Sequence, residues 1–76
     1  MLPLESLQSG DWAEVEEVTG KPVWIGRVAE LGVRVGIRLQ IVRRGNPCLL
    51  RIDGSCLSLR GEPGAQILVR PLAPVR

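Results

Sequence analysis

Two cysteines, Cys48 and Cys56, carry the most reactive side chains of this 76-residue sequence. Between them, Asp53-Gly54 predicts a two-residue hairpin turn that pairs 52 with 55 and 48 with 59. In that register Cys48 faces the core and Cys56 faces outward, and the two lie three residue pairs apart along the strands. A disulfide needs Cα atoms within about 7 Å and converging Cβ atoms. We therefore predict neither a disulfide nor a metal ion shared by the two thiols.

The sequence contains no histidine. Histidine is the commonest general base and the commonest metal ligand, so a reaction here would depend on Cys, Lys or carboxylates alone. Nothing has the Cys and His spacing of a zinc site, and no Gly-rich phosphate loop follows a strand and opens a helix. We therefore expect no enzyme activity, no catalytic residue, no bound cofactor and no metal site.

Acidic residues are concentrated before the first basic residue, Lys21. Glu14 and Glu16 project from the same face of a predicted strand, and Glu17 joins them if the strand contains a bulge. A weak site for a hard cation is conceivable, but oxygen cages need more ligands than this. The sequence favours a solvated acidic face over a cation site.

Arginines dominate the middle of the chain, and the expected register places Arg38, Arg44 and Arg51 on one outward face. A solvated surface is the simpler interpretation, and a basic face for an anionic partner is the alternative. Single-stranded nucleic acid is bound by stacking bases on aromatic side chains. The chain has only Trp12 and Trp24, and Trp24 belongs to the predicted core. We do not expect nucleic acid to be the partner.

The elements that position these residues must be short, because 76 residues form one domain, 1–76. A chain of this size buries roughly 60% of its unfolded surface. Apolar residues make up 45% of it, with no Phe and no Tyr, so the core must be aliphatic. Such side chains, many of them β-branched, suit a pleated sheet. The Pro-rich segment 71–76 is expected to fray.

Strand patterns account for most of the chain. After one short helical turn at Leu4–Leu7, they cover 12–18, 37–43, 48–52, 55–60 and 66–70. In the first strand the alternation slips at Glu17-Val18, which indicates a bulge or a strand end. A four-residue loop at 44–47 pairs 43 with 48 and 41 with 50, so both hairpins place their apolar residues on the same face. Five short strands must curl into a small, partly open barrel.

One short helix interrupts the strands. Trp24, Val28 and Leu31 fall at i, i+4 and i+7, which predicts a buried helix face. Arg27 and Glu30 occupy the other side and can pair at i, i+3. Gly32 sits where a helix C-cap needs a positive φ, so the helix is expected to end there after about two turns.

Two sequence features bear on the cellular location. No apolar run approaches the roughly 20 residues needed to cross a bilayer. Met1 leads straight into Leu2-Pro3-Leu4-Glu5, without the charged region and cleavage site of a signal peptide. We therefore expect a cytoplasmic protein.

The order of these segments resembles the ferrous iron transport protein A family over nearly the whole chain. The resemblance rests on "LESLQSGDWAEV", "RVAELGVRVG", "GNPCLLRIDGSCLSLR" and "AQILV". The second segment is similar to the family pattern Arg-Leu-x-Glu-Leu-Gly-hydrophobic-x-Pro-Gly. It matches at Arg27, Glu30, Leu31, Gly32 and Gly36, whereas Val28 replaces the usual Leu and Val35 the usual Pro.

The resemblance implies a mostly β fold: an SH3-like five-stranded barrel with one short helix between the first strands. It implies an accessory protein of bacterial ferrous iron uptake that contacts the GTP-binding cytosolic part of the membrane transporter (FeoB type), and so lies at the inner membrane through that partner. The candidate contact residues are Arg27, Glu30, Leu31 and Arg34. Metal sensing, as in related repressor domains, and nucleic-acid binding through Arg38, Arg44 and Arg51 remain alternatives. Exposed strand edges also allow a weak homodimer.

Overall fold

The computed structural model describes residues 1–72. Within them the chain forms a 3₁₀ turn (Leu4–Ser6), one α-helix, α1 (Pro22–Glu30), and six strands. The strands are β1 (Leu2–Pro3), β2 (Trp12–Thr19), β3 (Arg38–Arg43), β4 (Cys48–Ile52), β5 (Ser55–Leu59) and β6 (Gln66–Leu72). The five strands, the helical turn and the helix expected from the sequence are all present, and β1 is an addition.

All six strands belong to one antiparallel sheet in the order β1-β6-β2-β3-β4-β5. β2 lies at its centre, paired along its length with β6 and at its beginning with β3. Such a short chain can cover one core only by curling this sheet, and α1 packs against the core with the two buried side chains Trp24 and Val28. The architecture is the small SH3-like barrel with one helix that was expected.

A bulge bends β2, as the sequence indicated. The register with β6 shifts between Val15 and Glu17, one residue earlier than the predicted slip. An inserted residue in one strand bends that strand locally and increases its twist. Here the bend lets the first half of β2 pair with both β3 and β6, while its second half pairs with β6 alone.

The meander of β3, β4 and β5 has the predicted register in most places. Between β4 and β5, Cys48 lies opposite Leu59 and Ile52 opposite Ser55, as expected. Between β3 and β4 the predicted pair Ile41 and Leu50 is also present. At the loop end the prediction is wrong, because Arg43 pairs with Leu49 rather than with Cys48. A second register shift between residues 41 and 43 is the reason.

One aliphatic cluster fills the barrel. It draws side chains from the 3₁₀ turn, the helix and five of the strands, and it includes no buried polar or charged residue. The most deeply buried large side chains are Leu39, Ile41, Leu50, Val15, Val33 and Val69. Trp24 is buried with them, as expected, and its indole Nε1 donates a hydrogen bond of 3.4 Å to the carbonyl oxygen of Arg60.

The last strand is longer than predicted. Pro71 and Leu72, expected to fray, continue β6 and lie opposite Ala13 and Trp12. The prediction of a frayed end is therefore wrong for these two residues, since pairing with β2 holds them in place. Residues 73–76 of the predicted tail lie outside the described part of the chain.

Candidate partner-binding surface

The end of α1 is held by a Schellman arrangement of hydrogen bonds. Gly32 has a φ of +106° and donates its N–H to the carbonyl oxygen of Ala29 at 3.0 Å. Val33 donates its N–H to the carbonyl oxygen of Val28 at 2.9 Å. Many helices end with a residue of positive φ at this position, which allows their last carbonyl groups to accept hydrogen bonds. The predicted role of Gly32 is confirmed.

Leu31 does not belong to the core, contrary to the expectation from the i, i+7 spacing. Its side chain is 48% exposed, and its backbone forms the C-cap of a helix whose last residue is Glu30. The helical period ends there, so it no longer determines which side chain points inward. Val33, two residues later, is buried instead. As a candidate for partner contact, Leu31 is accessible.

Arg34 also binds the end of the helix. Its Nε donates a hydrogen bond of 3.0 Å to the carbonyl oxygen of Ala29, which also accepts the N–H of Gly32. A basic side chain near a helix C-terminus binds the last carbonyls and interacts favourably with the negative end of the helix dipole. Arg34 therefore orders the segment that follows the helix.

The segment after Arg34 is fastened to the central strand. Gly36 donates its N–H to the carbonyl oxygen of Val15 at 2.8 Å, and Val15 returns a bond of 2.9 Å to the carbonyl oxygen of Ile37. Ile37 also closes a turn by donating its N–H to the carbonyl oxygen of Arg34 at 3.1 Å. The chain from Leu31 to Ile37 is thereby fixed at both ends.

Arg27 and Glu30 are exposed on the helix. The ion pair predicted between them is absent: within residues 1–72, every ion pair joins Glu14 or Glu16 to Arg38 or Arg70. An exposed i, i+3 pair contributes only about 0.2–0.5 kcal/mol to a helix. Both side chains are therefore available for a partner.

We call Arg27, Glu30, Leu31, Arg34 and Val35 the helix-end surface. Val35, which the sequence did not single out, is 67% exposed. Exposed apolar side chains framed by charged ones are typical of surfaces that bind other proteins. In the sequence, Val35 was marked only as an apolar residue just before Gly36, at the position where the family pattern usually has Pro.

Of the three arginines of the predicted basic face, Arg38 alone lies beside a carboxylate within residues 1–72. Glu14 lies 3.7 Å from Arg38 and 3.2 Å from Arg70, and Glu16 lies 3.5 Å from Arg70. Arg51 donates a hydrogen bond of 3.4 Å to Oε1 of Gln40, its neighbour across the strands. The acidic face and the arginines thus form one mixed surface rather than two separate ones.

Arg44 does not share that face, contrary to prediction. It lies in the loop after β3, and its Nη2 donates a hydrogen bond of 3.2 Å to the backbone carbonyl oxygen of Glu5 in the 3₁₀ turn. The register shift that precedes it and this bond bring Arg44 to the rim of a groove.

The groove, of about 700 Å³, lies between the 3₁₀ turn, Trp24 of α1 and the loops before β4 and β6. Apolar side chains such as Leu4, Leu7, Trp24 and Ile67 contribute to its lining, and Glu5, Arg44, Asn46 and Glu62 add polar groups. The sequence did not indicate this groove, because four segments distant in the chain combine to form it.

Two groups in the groove have chemically informative surroundings. Among residues 1–72, no group donates a hydrogen bond to the buried Oε2 of Glu62. Burial raises the pKa of the Cys48 thiol above its ordinary value of 9.0, and the negative charge of Glu5 raises it further. Cys48 is therefore a weaker nucleophile at pH 7 than an ordinary cysteine.

Both cysteines are free, Cys48 partly buried on β4 and Cys56 exposed on β5, as the register predicted. In the described part of the chain, no three Cys, Asp or Glu side chains are placed to hold a metal ion together. Over the same residues, no helix is long and apolar enough to cross a membrane.

The fold is similar to those of solved structures, of which two are compared with it below. One is a crystal structure of an iron uptake regulatory protein, FeoA, with 20% identity, a TM-score of 0.81, and coverage of 93% of this chain and 96% of that one. The other is the solution structure of the FeoA protein from Chlorobium tepidum, with 31% identity, a TM-score of 0.83, and coverage of 99% of this chain and 74% of that one.

A search of curated proteins gave no match. The family model of the FeoA domain, by contrast, matches residues 2–71, almost the full chain. With the barrel, the helix and the glycine-terminated helix end in the expected places, the match is one of sequence and of fold. The chain belongs to the FeoA domain family.

Proposed function

We propose that this protein is a small cytoplasmic accessory protein of bacterial ferrous iron uptake, and that it binds the GTP-binding cytosolic part of the membrane iron transporter. Membership of the FeoA family supports the role in iron uptake. The description of one similar structure as an iron uptake regulatory protein agrees with it. The partner and the mode of binding are inferred from the surface of the molecule.

The observation that carries this proposal is the helix-end surface. Leu31 and Val35 expose apolar side chains, and Arg27 and Glu30 add one charge of each sign beside them. Binding a partner costs conformational entropy whenever a loop must become ordered. Here the hydrogen bonds of Gly32, Arg34 and Gly36 already fix the loop, so little ordering remains to oppose binding.

The proposed contact has an apolar centre with a charged border. In protein interfaces the buried apolar anchors contribute most of the binding energy, while charges at the border affect the association rate and the choice of partner. We therefore assign affinity mainly to Leu31 and Val35, and selectivity to Arg27 and Glu30. Arg34 contributes by holding the segment in place.

Titration of the isolated cytosolic domain of the transporter with this protein, by calorimetry or a fluorescent label, tests the proposal. Leu31→Asp should weaken binding by about tenfold or more, since a charge would replace a central apolar contact. Val23→Asp is the matched control, because Val23 is exposed at the other end of the same helix. Equal losses for both variants, or no binding by the unaltered protein, would contradict the proposal.

The proposed location follows from the partner. A cytoplasmic protein held at the inner membrane only through the transporter should sediment with membranes that contain the transporter. It should remain in the supernatant when the transporter is absent. The Leu31→Asp variant should remain in the supernatant even when the membranes contain the transporter. Sedimentation with membranes that lack the transporter would contradict this location.

Binding of single-stranded nucleic acid is a second candidate, favoured by one observation. Trp12 is 44% exposed and lies in the same cross-strand row as Gln40 and Arg51, so a base could stack on it beside a cation. Such binding would lose affinity steeply as salt increases. Fluorescence of a labelled oligonucleotide, measured with the unaltered protein and with Trp12→Ala, tests this candidate, and no binding at low salt excludes it.

A further inference from the structure

The strand β5 is one edge of the sheet and is unpaired on its outer side. It pairs with β4 alone, from Ser55 opposite Ile52 to Leu59 opposite Cys48. Within residues 1–72, no loop or side chain forms a hydrogen bond with the backbone of residues 55–59 from that outer side. A complete strand edge is therefore open.

The tight turn determines which backbone groups point outward. The turn residues Asp53 and Gly54 have φ of 49° and 79°, as in a two-residue hairpin of type I′. In such a hairpin the residues flanking the turn exchange hydrogen bonds, and the pattern then alternates along the strands. Residues 55, 57 and 59 thus bond to β4, and Cys56 and Ser58 direct their N–H and C=O groups away from it.

β5 lacks the features by which natural sheets protect an open edge. Such edges are usually very short, bulged, or marked by lysine or proline. The opposite edge of this sheet, β1, is two residues long and contains Pro3. β5 is five residues long and regularly paired, and its sequence, Ser-Cys-Leu-Ser-Leu, contains no charge and no proline.

We propose that β5 binds β5 of a second copy of this chain, antiparallel and centred on Leu57, to form a symmetric dimer with a sheet continuous across both copies. Residues whose N–H and C=O groups point away from β4 must lie opposite each other across the dimer. Cys56 therefore pairs with Ser58 of the second copy, and Ser58 pairs with Cys56 of the second copy. This alignment overlaps all five residues of the strand and forms four backbone hydrogen bonds.

Side chains and charges agree with that alignment. On the core side, the half-buried Leu57 of each copy meets its equivalent across the dyad. On the solvent side, Cys56 and Ser58 are small and uncharged, so nothing obstructs the approach. Beyond the strand, Arg60 of each copy comes beside the Asp53-Gly54 turn of the other, which places opposite charges together twice. Neither Arg60 nor Asp53 takes part in an ion pair within residues 1–72.

The dimer is expected to be weak and dependent on concentration. Stable protein interfaces bury about 1,200 Å² or more, and one short strand join buries much less. Sedimentation velocity over a concentration series should show a monomer that shifts towards a dimer at the highest concentrations. In amide spectra of the same series, the resonances of Cys56 and Ser58 should shift most.

Ser58→Pro is the decisive variant, because it removes an outward N–H without removing a hydrogen bond to β4. By symmetry the dimer loses two bonds, so self-association should weaken by about tenfold or more. Ser58→Ala keeps the N–H and should associate like the unaltered chain. If Ser58→Pro does not fold, Ser58→Lys tests the same edge, since lysine is a natural protector of open strands.

Cross-linking tests the alignment itself. Residues 57 face each other on the dyad as a non-hydrogen-bonded pair, with Cα atoms about 4.5 Å apart, which suits a disulfide. In a chain with Cys48→Ser and Cys56→Ser, Leu57→Cys should form a linked dimer on mild oxidation, and Gln66→Cys, on another strand, should not. A monomer at every concentration overturns the proposal. So does a dimer whose stability neither Ser58→Pro nor Ser58→Lys reduces. A Leu57→Cys chain that forms the linked dimer no faster than the Gln66→Cys control also overturns it.

Discussion

Arg34 donates a hydrogen bond of 3.0 Å from its Nε to the carbonyl oxygen of Ala29, five residues before it in the chain. The bond joins the loop after the helix to the helix itself, at a carbonyl that Gly32 also binds. An arginine selected from the sequence as a candidate partner contact is thus first a support for the helix-end surface. The distinction leads to a measurable difference between Arg34 and its neighbours.

Arg34→Ala should lower the free energy of unfolding by about 1 kcal/mol, because it removes the hydrogen bond that joins the loop after the helix to the carbonyl oxygen of Ala29. Arg43→Ala is the control, since Arg43 is exposed at the end of β3 and should change stability by less than about 0.5 kcal/mol. Urea denaturation measures both. A loss for Arg43→Ala as large as that for Arg34→Ala would contradict the supporting role.

Two glycines near the same helix should respond in opposite directions to alanine. Gly32 has a φ of +106°, which an alanine rarely adopts, so Gly32→Ala should destabilise by about 1 kcal/mol or more. Gly26 lies inside α1 with open space around its Cβ position, so Gly26→Ala should stabilise by up to about 1 kcal/mol. Thermal unfolding of both variants gives the comparison, and changes of the same sign would contradict the helix boundary.

The two thiols should react at different rates in the folded protein. Cys56 is exposed, whereas burial and the charge of Glu5 raise the pKa of Cys48. An alkylating reagent attacks the thiolate, so at neutral pH it should modify Cys56 much faster than Cys48. Mass spectrometry of the peptides follows both sites, and equal rates in the folded state would contradict the register of β4 and β5.

The same pKa shift predicts how stability depends on pH. Because the pKa of Cys48 is higher in the folded than in the unfolded chain, the neutral thiol contributes stability below pH 9.0, and this contribution is lost as pH rises through the folded pKa. Cys48→Ala should reduce the loss of stability in that alkaline range. Denaturation curves on either side of pH 9.0 measure it, and identical pH dependence in the two proteins would contradict it.

The ion pairs on the outer face of the sheet should contribute little. Glu14 lies between Arg38 and Arg70, but both arginine side chains are more than half exposed. Glu14→Gln should therefore cost less than about 1 kcal/mol, and the cost should shrink as salt increases. A loss that does not change with salt would indicate a role other than charge pairing.

Local patterns predicted the parts of the fold that depend on neighbouring residues. Asp53-Gly54 defined its turn, and with it the pairing of Cys48 with Leu59, because a two-residue hairpin permits one register. Gly32 ended the helix because its position required a positive φ. No local signal marked the bulge between residues 41 and 43, so the pairing of Arg43 and the direction of Arg44 were predicted wrongly.

The candidate surface was predicted only in part, for a similar reason. Helical spacing placed Leu31 in the core, but the helix ends one residue earlier, so Leu31 is exposed and Val33 is buried. The exposure of Val35 depends on how Gly36 bonds to Val15 of β2, a contact between segments that are distant in the chain. The groove depends on still more distant segments, and periodicity along the chain carries no information about it.

The two hydrogen bonds that Val15 shares with Gly36 and Ile37 have a consequence for signalling. Val15 is a fully buried residue of the central strand, so a tilt of the helix-end surface relative to the barrel would break these bonds between the loop and the strand. A change of shape at the helix-end surface would therefore cost about 1–3 kcal/mol for these two bonds alone. If the proposed contact regulates a partner, the smaller cost lies in the binding and release of the whole domain.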